Sequence, residues 1–269
     1  MGNCFLSLLL ILATVFSPTA FAGGSPPKSH KNKSVDQLPP NDRNEASAYG
    51  LHFKDIPSHA FGDLKEAFWG MPGFLFTASV ALPLVFIPAD KDISAKLAGN
   101  PVFSSKVNNS IGLALSPYTI GGASLITFLI GTRVQNPKFS LASESLMESW
   151  VGSMAIVTGL KFAVRRQRPN GSNYSMPSAH SAAAFSTAAV LTDFYGWKAA
   201  IPSYALASLV AFSRLDGQNH YLSDVLVGAA IGTALGIGTS EFHKKQHTDI
   251  FILPRVSTNE QGLILYKSF

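Results

Sequence analysis

The sequence predicts an all-α protein: a bundle of about six helices, partly membrane-associated, with a small β-hairpin at the C-terminus. Only 14% of the 269 residues are charged, against roughly 25% in soluble domains. The mean hydropathy is +0.20, and uncharged segments of helical length recur along the chain. This composition excludes a disordered chain. The single cysteine, Cys4, excludes a disulfide framework and a cluster of thiolate metal ligands.

The uncharged segments fall into two classes by length. Two are long enough to cross a bilayer, at residues 71–88 and 107–132. Four have the length of core helices, at residues 149–160, 181–192, 199–213 and 225–240. Small residues crowd the segments 181–192 and 225–240, which predicts close packing of helix backbones. The sequence leaves open whether the long segments cross a bilayer or all six helices form a soluble bundle.

The N-terminal region predicts export. Residues 5–16 form an apolar run of signal-peptide length, and a small-x-small cleavage pattern follows at residues 20–22. No lysine or arginine precedes the run, so an uncleaved anchor is the alternative. We expect four regions in the chain: a signal peptide over 1–22, a flexible tether over 23–66, a helical domain over 67–242 and a tail over 243–269 that forms the hairpin.

The position of the basic residues predicts a topology. If the tether is exported and both long segments span, the loop between them faces the cytoplasm, where Lys91, Lys96 and Lys106 satisfy the positive-inside rule. Everything from residue 133 onward would then be extracytoplasmic, if the four shorter segments do not cross. The formal net charge of +5 suits anionic substrates or a membrane surface, and no basic stripe of the kind that binds nucleic acid is present. The oligomeric state stays open.

Two blocks of polar residues precede the second core segment, which begins at residue 181. Lys161 and Arg168 are seven residues apart, so they would share a face if one helix continued through both, and Pro169 ends any such helix. In the next block Pro177 suits the first turn of a helix, whose N-terminal N–H groups attract anions. His180 adds a group that can carry a proton near neutral pH.

A third block contains Arg214, His220 and Asp224. The spacing of four residues would place His220 and Asp224 on one helical face. A carboxylate that accepts a hydrogen bond from one ring nitrogen fixes the tautomer and leaves the other nitrogen free as a nucleophile. The three blocks together form a pattern that is far more specific than any one of them.

The order K-x6-RP, PS-x-H and SR-x5-H-x3-D resembles the type 2 phosphatidic acid phosphatase (PAP2) superfamily, which includes bacterial class A acid phosphatases and vanadium haloperoxidases. The resemblance covers about residues 145–240 and implies a helical bundle like that of chloroperoxidase. It implies that a group of residues binds the phosphoryl oxygens: Lys161, Arg168, Ser178, Ala179 through its N–H, and Arg214. It further implies that His220 attacks phosphorus, that Asp224 orients His220, and that His180 protonates the leaving alkoxide and then activates water.

The implied activity is a phosphatase that needs no metal or cofactor and cleaves phosphate monoesters through a phosphohistidine on the extracytoplasmic side. The apolar segments favour lipid phosphates or lipid pyrophosphates as substrates and a membrane as partner. A soluble periplasmic nonspecific acid phosphatase and a vanadate-dependent haloperoxidase are the alternatives. The family usually has glycine where this chain has Ala179, and the added Cβ matters only if that position needs a positive φ or the closest approach to phosphate.

Overall fold

The computed structural model describes residues 81–134, 136–246, 250–257 and 260–267. The predicted signal peptide and tether, and most of the first long uncharged segment, lie outside the described residues. A 3₁₀-helix over Leu82–Ala89 precedes the α-helices. These are α1 (Asp90–Gly99), α2 (Ser105–Ala114), α3 (Pro117–Gly131), α4 (Pro137–Val164), α5 (Ala179–Tyr195), α6 (Trp197–Asp216) and α7 (Leu222–Gln246). The prediction of a helical bundle is confirmed for this part of the chain.

Helices α5 and α7 form the centre of the bundle, because their small residues let the two backbones touch. A Cβ at Gly232 would collide with the carbonyl oxygen of Ala182, and one at Gly228 would collide with that of Ser178. Apolar side chains around this contact, including Phe185 and Ile231, are fully buried. The small-residue pattern thus serves packing, as the sequence predicts.

We expect Gly228→Ala to destabilise the protein by about 1–3 kcal/mol, because the carbonyl it meets belongs to backbone that cannot move aside cheaply. Gly159→Ala is the matched control: it lies inside α4 with no atom near its would-be Cβ, and it should stabilise the helix by roughly 0.5–1 kcal/mol. Thermal unfolding of both variants in detergent checks this. Equal melting temperatures for Gly228→Ala and the wild type would contradict the packing described here.

Two helical stretches in the described residues are long and apolar enough to cross a membrane by length and composition. Ser105–Gly131, which comprises α2 and α3, has a mean hydropathy of 1.6 and only 28% of it is buried. Leu222–Lys244 has a mean hydropathy of 1.5 and is 89% buried. The second is therefore a core helix, whereas the first presents an apolar surface that includes Leu113, Ile126 and Ile130.

Helix α4 is much longer than the uncharged segment that predicted it: the helix has 28 residues, whereas the segment covers only residues 149–160. It begins at Pro137 after Asn136, whose side chain accepts a hydrogen bond from the N–H of Phe139 (3.1 Å). Glu144 and Glu148 interrupt the uncharged pattern, yet both are buried in the helix. Because buried acidic residues read as surface residues in a sequence, the start of α4 could not be predicted from charge alone.

The three sequence blocks meet at one end of the bundle, which we call the motif end. Helices α4 and α6 end there, and α5 and α7 begin there. The N–H of Ser178 donates to the carbonyl of Asp224 (2.9 Å), and the N–H of Asn170 donates to that of Gln218 (3.1 Å). These backbone hydrogen bonds join all three blocks directly.

The loop predicted to face the cytoplasm also lies at the motif end. The Ser94 hydroxyl donates to the Gln218 side chain (2.6 Å), and Asp216 accepts from the N–H groups of Val102 (2.7 Å) and Phe103 (3.0 Å). The expectation that this loop and the blocks lie on opposite sides of a membrane is therefore wrong. The prediction from the number of membrane crossings was wrong because it assumed that the loop is separate from the rest of the domain. The loop is instead hydrogen-bonded to Asp216 and Gln218.

After α7 the described backbone consists of two strands, β1 (Ile250–Ser257) and β2 (Glu260–Lys267), paired antiparallel. They lie beyond the residues whose side chains the structure describes. The C-terminal hairpin as a structural unit of the protein therefore stays a prediction.

Candidate active site

Three cations converge at the motif end from different elements. Lys161 lies in the last turn of α4, Arg214 in the last turn of α6, and Arg168 in the loop between α4 and α5. The helix does not continue to Arg168: it ends at Val164, and Arg165 adopts a left-handed conformation with φ 51°. The shared helical face expected for Lys161 and Arg168 is therefore wrong, and a loop brings them together instead.

That loop is tightly turned and orients both cations. The N–H of Arg168 donates to the carbonyl of Ser172 (2.7 Å), which closes the turn. The Arg168 Nε donates to the carbonyl of Asn173 (3.2 Å), and the Lys161 ammonium donates to that of Tyr174 (2.5 Å). Consecutive carbonyls of one turn thus hold the two side chains side by side.

The N-terminus of α5 supplies the anion-binding backbone that the second block predicts. Ser178 is the N-cap, fully buried, and its hydroxyl accepts from the N–H of Ser181 (3.4 Å). Ala179 is the first residue of the helix and is not among the residues with positive φ. Alanine therefore fits this position without backbone strain.

Helix α2 closes over the site through two of its carbonyl groups. The Arg214 Nη2 donates to the carbonyl of Asn108 (2.6 Å). The His180 Nε2 lies 3.0 Å from the carbonyl oxygen of Gly112, and because a carbonyl can only accept, Nε2 carries the proton there. A Cβ at Gly112 would meet the Arg214 guanidinium, so a larger residue here would force that side chain to move; no sequence pattern singled out Gly112.

His220 and Asp224 adjoin each other, but not on one helical face. His220 lies in the turn before α7 and is 3% exposed, whereas Asp224 lies in the first turn of that helix. The His220 Nδ1 is 3.8 Å from the Asp224 Oδ2, which is beyond hydrogen-bond length. In this structure the two groups therefore face each other across 3.8 Å, and the expected hydrogen bond is not formed.

Electrostatic coupling shows that the predicted residues share one site. Burial, opposed by Asp224 and reinforced by Lys161 and Arg168, lowers the pKa of His220 to about 4. Burial and Arg214, with smaller effects of His220 and Arg168, lower the pKa of His180 to about 4. Arg168 thus acts on both histidines, and at neutral pH both rings are uncharged.

The positive charge of one cation also makes the charged form of its neighbours less favourable. Burial and the charge of Arg168 lower the pKa of Lys161 to about 8, and the same two causes lower the pKa of Arg214. Crowded positive charge of this kind is stabilised by an anion, so the site is poised to bind one.

Residues 170–248 match the sequence model of the PAP2 superfamily. This part of the chain is therefore similar in sequence to proteins of the PAP2 superfamily. The chain is 36% identical over 100 residues to a lipid A 1-phosphatase of Porphyromonas gingivalis, covering 36% of this chain and 22% of that protein. It is 34% identical over 92 residues to a lipid A 4'-phosphatase of Helicobacter pylori, covering 34% of this chain and 45% of that protein. No solved structure matches the chain significantly.

The PAP2 match confirms the family resemblance of the second and third blocks, but it does not include the first block. Six of the expected site residues lie within the matched region: Ser178, Ala179, His180, Arg214, His220 and Asp224. Lys161 and Arg168 precede it, and the structure brings them to the same site. The chain spans less than half of the length of either relative.

Sequence reasoning on the PAP2 blocks missed the residues that hold Asp224. The Ser175 hydroxyl (2.5 Å) and the N–H of Tyr221 (2.8 Å) donate to its Oδ2, and Arg166 donates to its Oδ1 (2.8 Å). In the pattern K-x6-RP, Arg166 is one of the six positions of unspecified residue type. The sequence signal for it was that two of these six residues, Arg165 and Arg166, are basic.

A second group of titratable side chains lies away from the candidate active site. The His243 Nε2 is 2.8 Å from a Glu148 oxygen, and its Nδ1 is 3.7 Å from a Glu144 oxygen. All three are buried, with ligand atoms within 4.8 Å of one another. Because the carboxylates approach opposite ring nitrogens, the geometry fits a buried ion pair between α4 and α7 rather than a single metal ion.

Proposed function

We propose that this chain is a metal-independent phosphatase that hydrolyses phosphate monoesters of lipids through a phosphohistidine at His220. The convergence of Lys161, Arg168 and Arg214 around two uncharged histidines carries this proposal. Three cations offset the charge of a phosphate dianion and of its transition state, which is the role that metal ions fill in other phosphoryl-transfer enzymes.

In the first step a nitrogen lone pair of His220 forms a bond to phosphorus while the bond from phosphorus to the ester oxygen breaks. The departing alkoxide takes a proton from His180. The bound phosphate brings negative charge beside His180 and raises the pKa of that ring from its low value, which lets it act as the acid. Asp224 stabilises the positive charge that develops on the His220 ring.

In the second step His180, now neutral, removes a proton from water, and the resulting hydroxide attacks phosphorus as the bond to His220 breaks. Inorganic phosphate is released and His220 regains its lone pair. Ser178 and the N–H of Ala179, at the N-terminus of α5, stabilise the phosphoryl oxygens in both steps.

Two observations support a lipid as the substrate. The two relatives are named as phosphatases of lipid A. Exposed aromatic rings also flank Lys161: Phe162 (58% exposed) and Tyr174 (39% exposed) pack edge to face at 5.5 Å. An apolar pair at the rim of a phosphate site suits acyl chains or a bilayer interface.

The activity is tested by phosphate release in EDTA from lipid A, phosphatidic acid and an aryl phosphate, with lipids in mixed micelles. We expect turnover of lipid A or phosphatidic acid to exceed that of the aryl phosphate. A strong preference for the aryl phosphate would favour a soluble acid phosphatase, and loss of activity in EDTA would overturn the metal-independent mechanism.

The aromatic pair gives a sharper version of this test. We expect the double substitution Phe162→Ala and Tyr174→Ala to raise KM for the lipid about 10-fold and to leave aryl phosphate hydrolysis within about twofold, because only lipid contacts are removed. Trp197→Ala is the control, since Trp197 is 68% exposed at the opposite end of α6. Equal losses on both substrates would contradict a lipid-contact role.

The lowered pKa of Lys161 predicts the alkaline limb of the pH profile. The side chain carries its charge below about pH 8 and loses it above, so kcat/KM should fall above pH 8, after correction for titration of the substrate. Lys161→Arg keeps the charge at all accessible pH values, so the limb should move to higher pH even if the rate is lower. An unchanged limb in Lys161→Arg would exclude Lys161 as its cause.

We propose that the site lies on the extracytoplasmic side, which the predicted export signal favours if residues 71–88 do not cross the bilayer. Helix α6 is about 30 Å long, so Lys198 at its start is separated from the motif end by the thickness of a bilayer core. In a Cys4→Ser background, a membrane-impermeant maleimide added to intact cells should label Lys96→Cys and spare Lys198→Cys. The reverse pattern would place the site in the cytoplasm.

A further inference from the structure

Arg166 has no role in the mechanism above, yet it is bound more tightly than any of the phosphate-binding cations. Its Nη1 donates to the Asp224 Oδ1 (2.8 Å), and its Nη2 donates to the Asp90 Oδ2 (2.8 Å). Its guanidinium also stacks over the Tyr221 ring, 4.4 Å from the centroid. Arg166 therefore links two carboxylates from distant parts of the chain.

Asp90 is fully buried at the start of α1 and fixes Arg166 from the other side. It also accepts from the N–H (3.0 Å) and the hydroxyl (2.5 Å) of Ser223. The Ser223 oxygen in turn accepts from the Arg166 Nη1 (2.7 Å). Asp90, Ser223, Arg166 and Asp224 thus form a closed network in which each member is held by at least two others or by the backbone.

This network leaves Asp224 little freedom to turn. Arg166 occupies one carboxylate oxygen, and Ser175 and the Tyr221 N–H occupy the other. The His220 Nδ1 lies 3.8 Å from that second oxygen. The carboxylate is therefore a fixed point toward which the histidine ring must move when the reaction geometry tightens.

We propose that Arg166, held by Asp90, is a positioning residue that fixes the Asp224 carboxylate for His220. This inference rests on the proposed function, because it assigns Asp224 its part in phosphohistidine formation. Arg166, Asp90 and Asp224 together carry one net negative charge. This charge stabilises the positive charge that develops on the His220 ring. Since both terminal nitrogens of Arg166 already bind carboxylates, phosphate would have to displace them to bind there, and Arg166 is not a phosphate ligand.

The role predicts a specific kinetic signature. Arg166→Met should lower kcat about 100-fold with KM within about threefold, since the phosphate-binding cations are untouched. Arg166→Lys should recover only part of the loss in kcat. It restores the positive charge, but a single ammonium cannot bridge both carboxylates. Asp90→Asn, a nearly isosteric change, should lower kcat about 10-fold. Arg165→Met is the matched control, since the Arg165 side chain donates only to the carbonyl of Phe162 (3.0 Å) among the hydrogen bonds described, and this variant should stay within twofold of the wild type.

A double-mutant cycle separates positioning from a general effect on the fold. In an Asp224→Asn background, Arg166→Met should cost at most a further twofold, because its effect passes through Asp224. Additive losses would overturn the proposal. So would a rise of KM by 10-fold or more at unchanged kcat, which is the signature of a phosphate ligand.

A measurement without substrate keeps this inference distinct from the proposed function. In ¹⁵N-histidine spectra, Arg166→Met should raise the pKa of His220, because the Asp224 charge is then less countered beside a ring that otherwise faces Lys161 and Arg168. An unchanged His220 titration overturns the positioning role whether or not the protein is active. A wild-type protein that releases no phosphate from any substrate, with the titration shifted in Arg166→Met, removes the proposed function alone.

Discussion

Replacing His220 with alanine is expected to lower phosphate release by about 10⁴-fold or more, since loss of a covalent nucleophile leaves only the binding and electrostatic contributions of the site. The imidazole is buried, uncharged at neutral pH and beside Asp224. Nothing else in the described site offers a nitrogen in that position. Steady-state hydrolysis of the preferred lipid phosphate measures the loss.

The His220→Ala protein provides its own control for folding. Lys161, Arg168 and Arg214 remain, so the variant should still bind orthovanadate, a phosphate analogue, within about 10-fold of the wild type. Added imidazole should restore part of the activity by entering the space that the ring occupied. Activity above a tenth of the wild type without imidazole would end the phosphohistidine mechanism.

Replacing Arg168 with alanine should have the second-largest effect, a loss in kcat/KM of about 10³-fold. Arg168 is the charge that acts on most of the other site residues: it contributes to the lowered pKa of Lys161, His180, Arg214 and His220. Removing it takes away a phosphate ligand that stabilises the transition state. It also removes the repulsion that, after burial, helps to lower the pKa of each of these neighbours.

The two consequences of Arg168→Ala can be measured separately. Kinetics report the lost transition-state stabilisation, and the pKa of Lys161 should rise from about 8 toward its ordinary value. Arg165→Ala is the control, since this neighbouring arginine caps α4 from outside the site. A loss of similar size in Arg165→Ala, or an unchanged Lys161 pKa in Arg168→Ala, would contradict the shared site.

The sequence predicted the helical bundle because that prediction rests on local patterns. The resemblance to the PAP2 superfamily pointed to eight site residues, and the structure brings the elements that carry them to the motif end. Uncharged segments of fixed length marked α5, α6 and α7, and small residues marked the α5–α7 contact at Gly228 and Gly232. Pro169 correctly indicated that no helix passes through the end of the first block. Pro177 lies just before Ser178, the N-cap of α5, and not in the first turn as expected. Such features are encoded within a few residues of one another.

What the sequence could not predict depends on contacts between distant residues. Asp90 and Arg166 are separated by 76 positions, and no local pattern pairs a buried carboxylate with one of several arginines. The turn that removes His220 from α7 follows a left-handed Gln218 (φ 56°), which spacing alone does not reveal. The loop after Asp90 looked like a cytoplasmic connection because its contacts with Gln218 and Asp216 lie more than 110 positions away.

The central claim is that His220 carries the phosphoryl group during turnover. Rapid acid-free quenching of the wild type and of His180→Asn with ³²P-labelled substrate, followed by peptide mass spectrometry, tests it most directly. The mechanism predicts an acid-labile, alkali-stable phosphate on His220 that is absent in His220→Ala. In His180→Asn, once formed, it should be hydrolysed more slowly than in the wild type, because water activation is lost. An acid-stable phosphate on Ser178, or turnover with no labelled protein at any time, would contradict it.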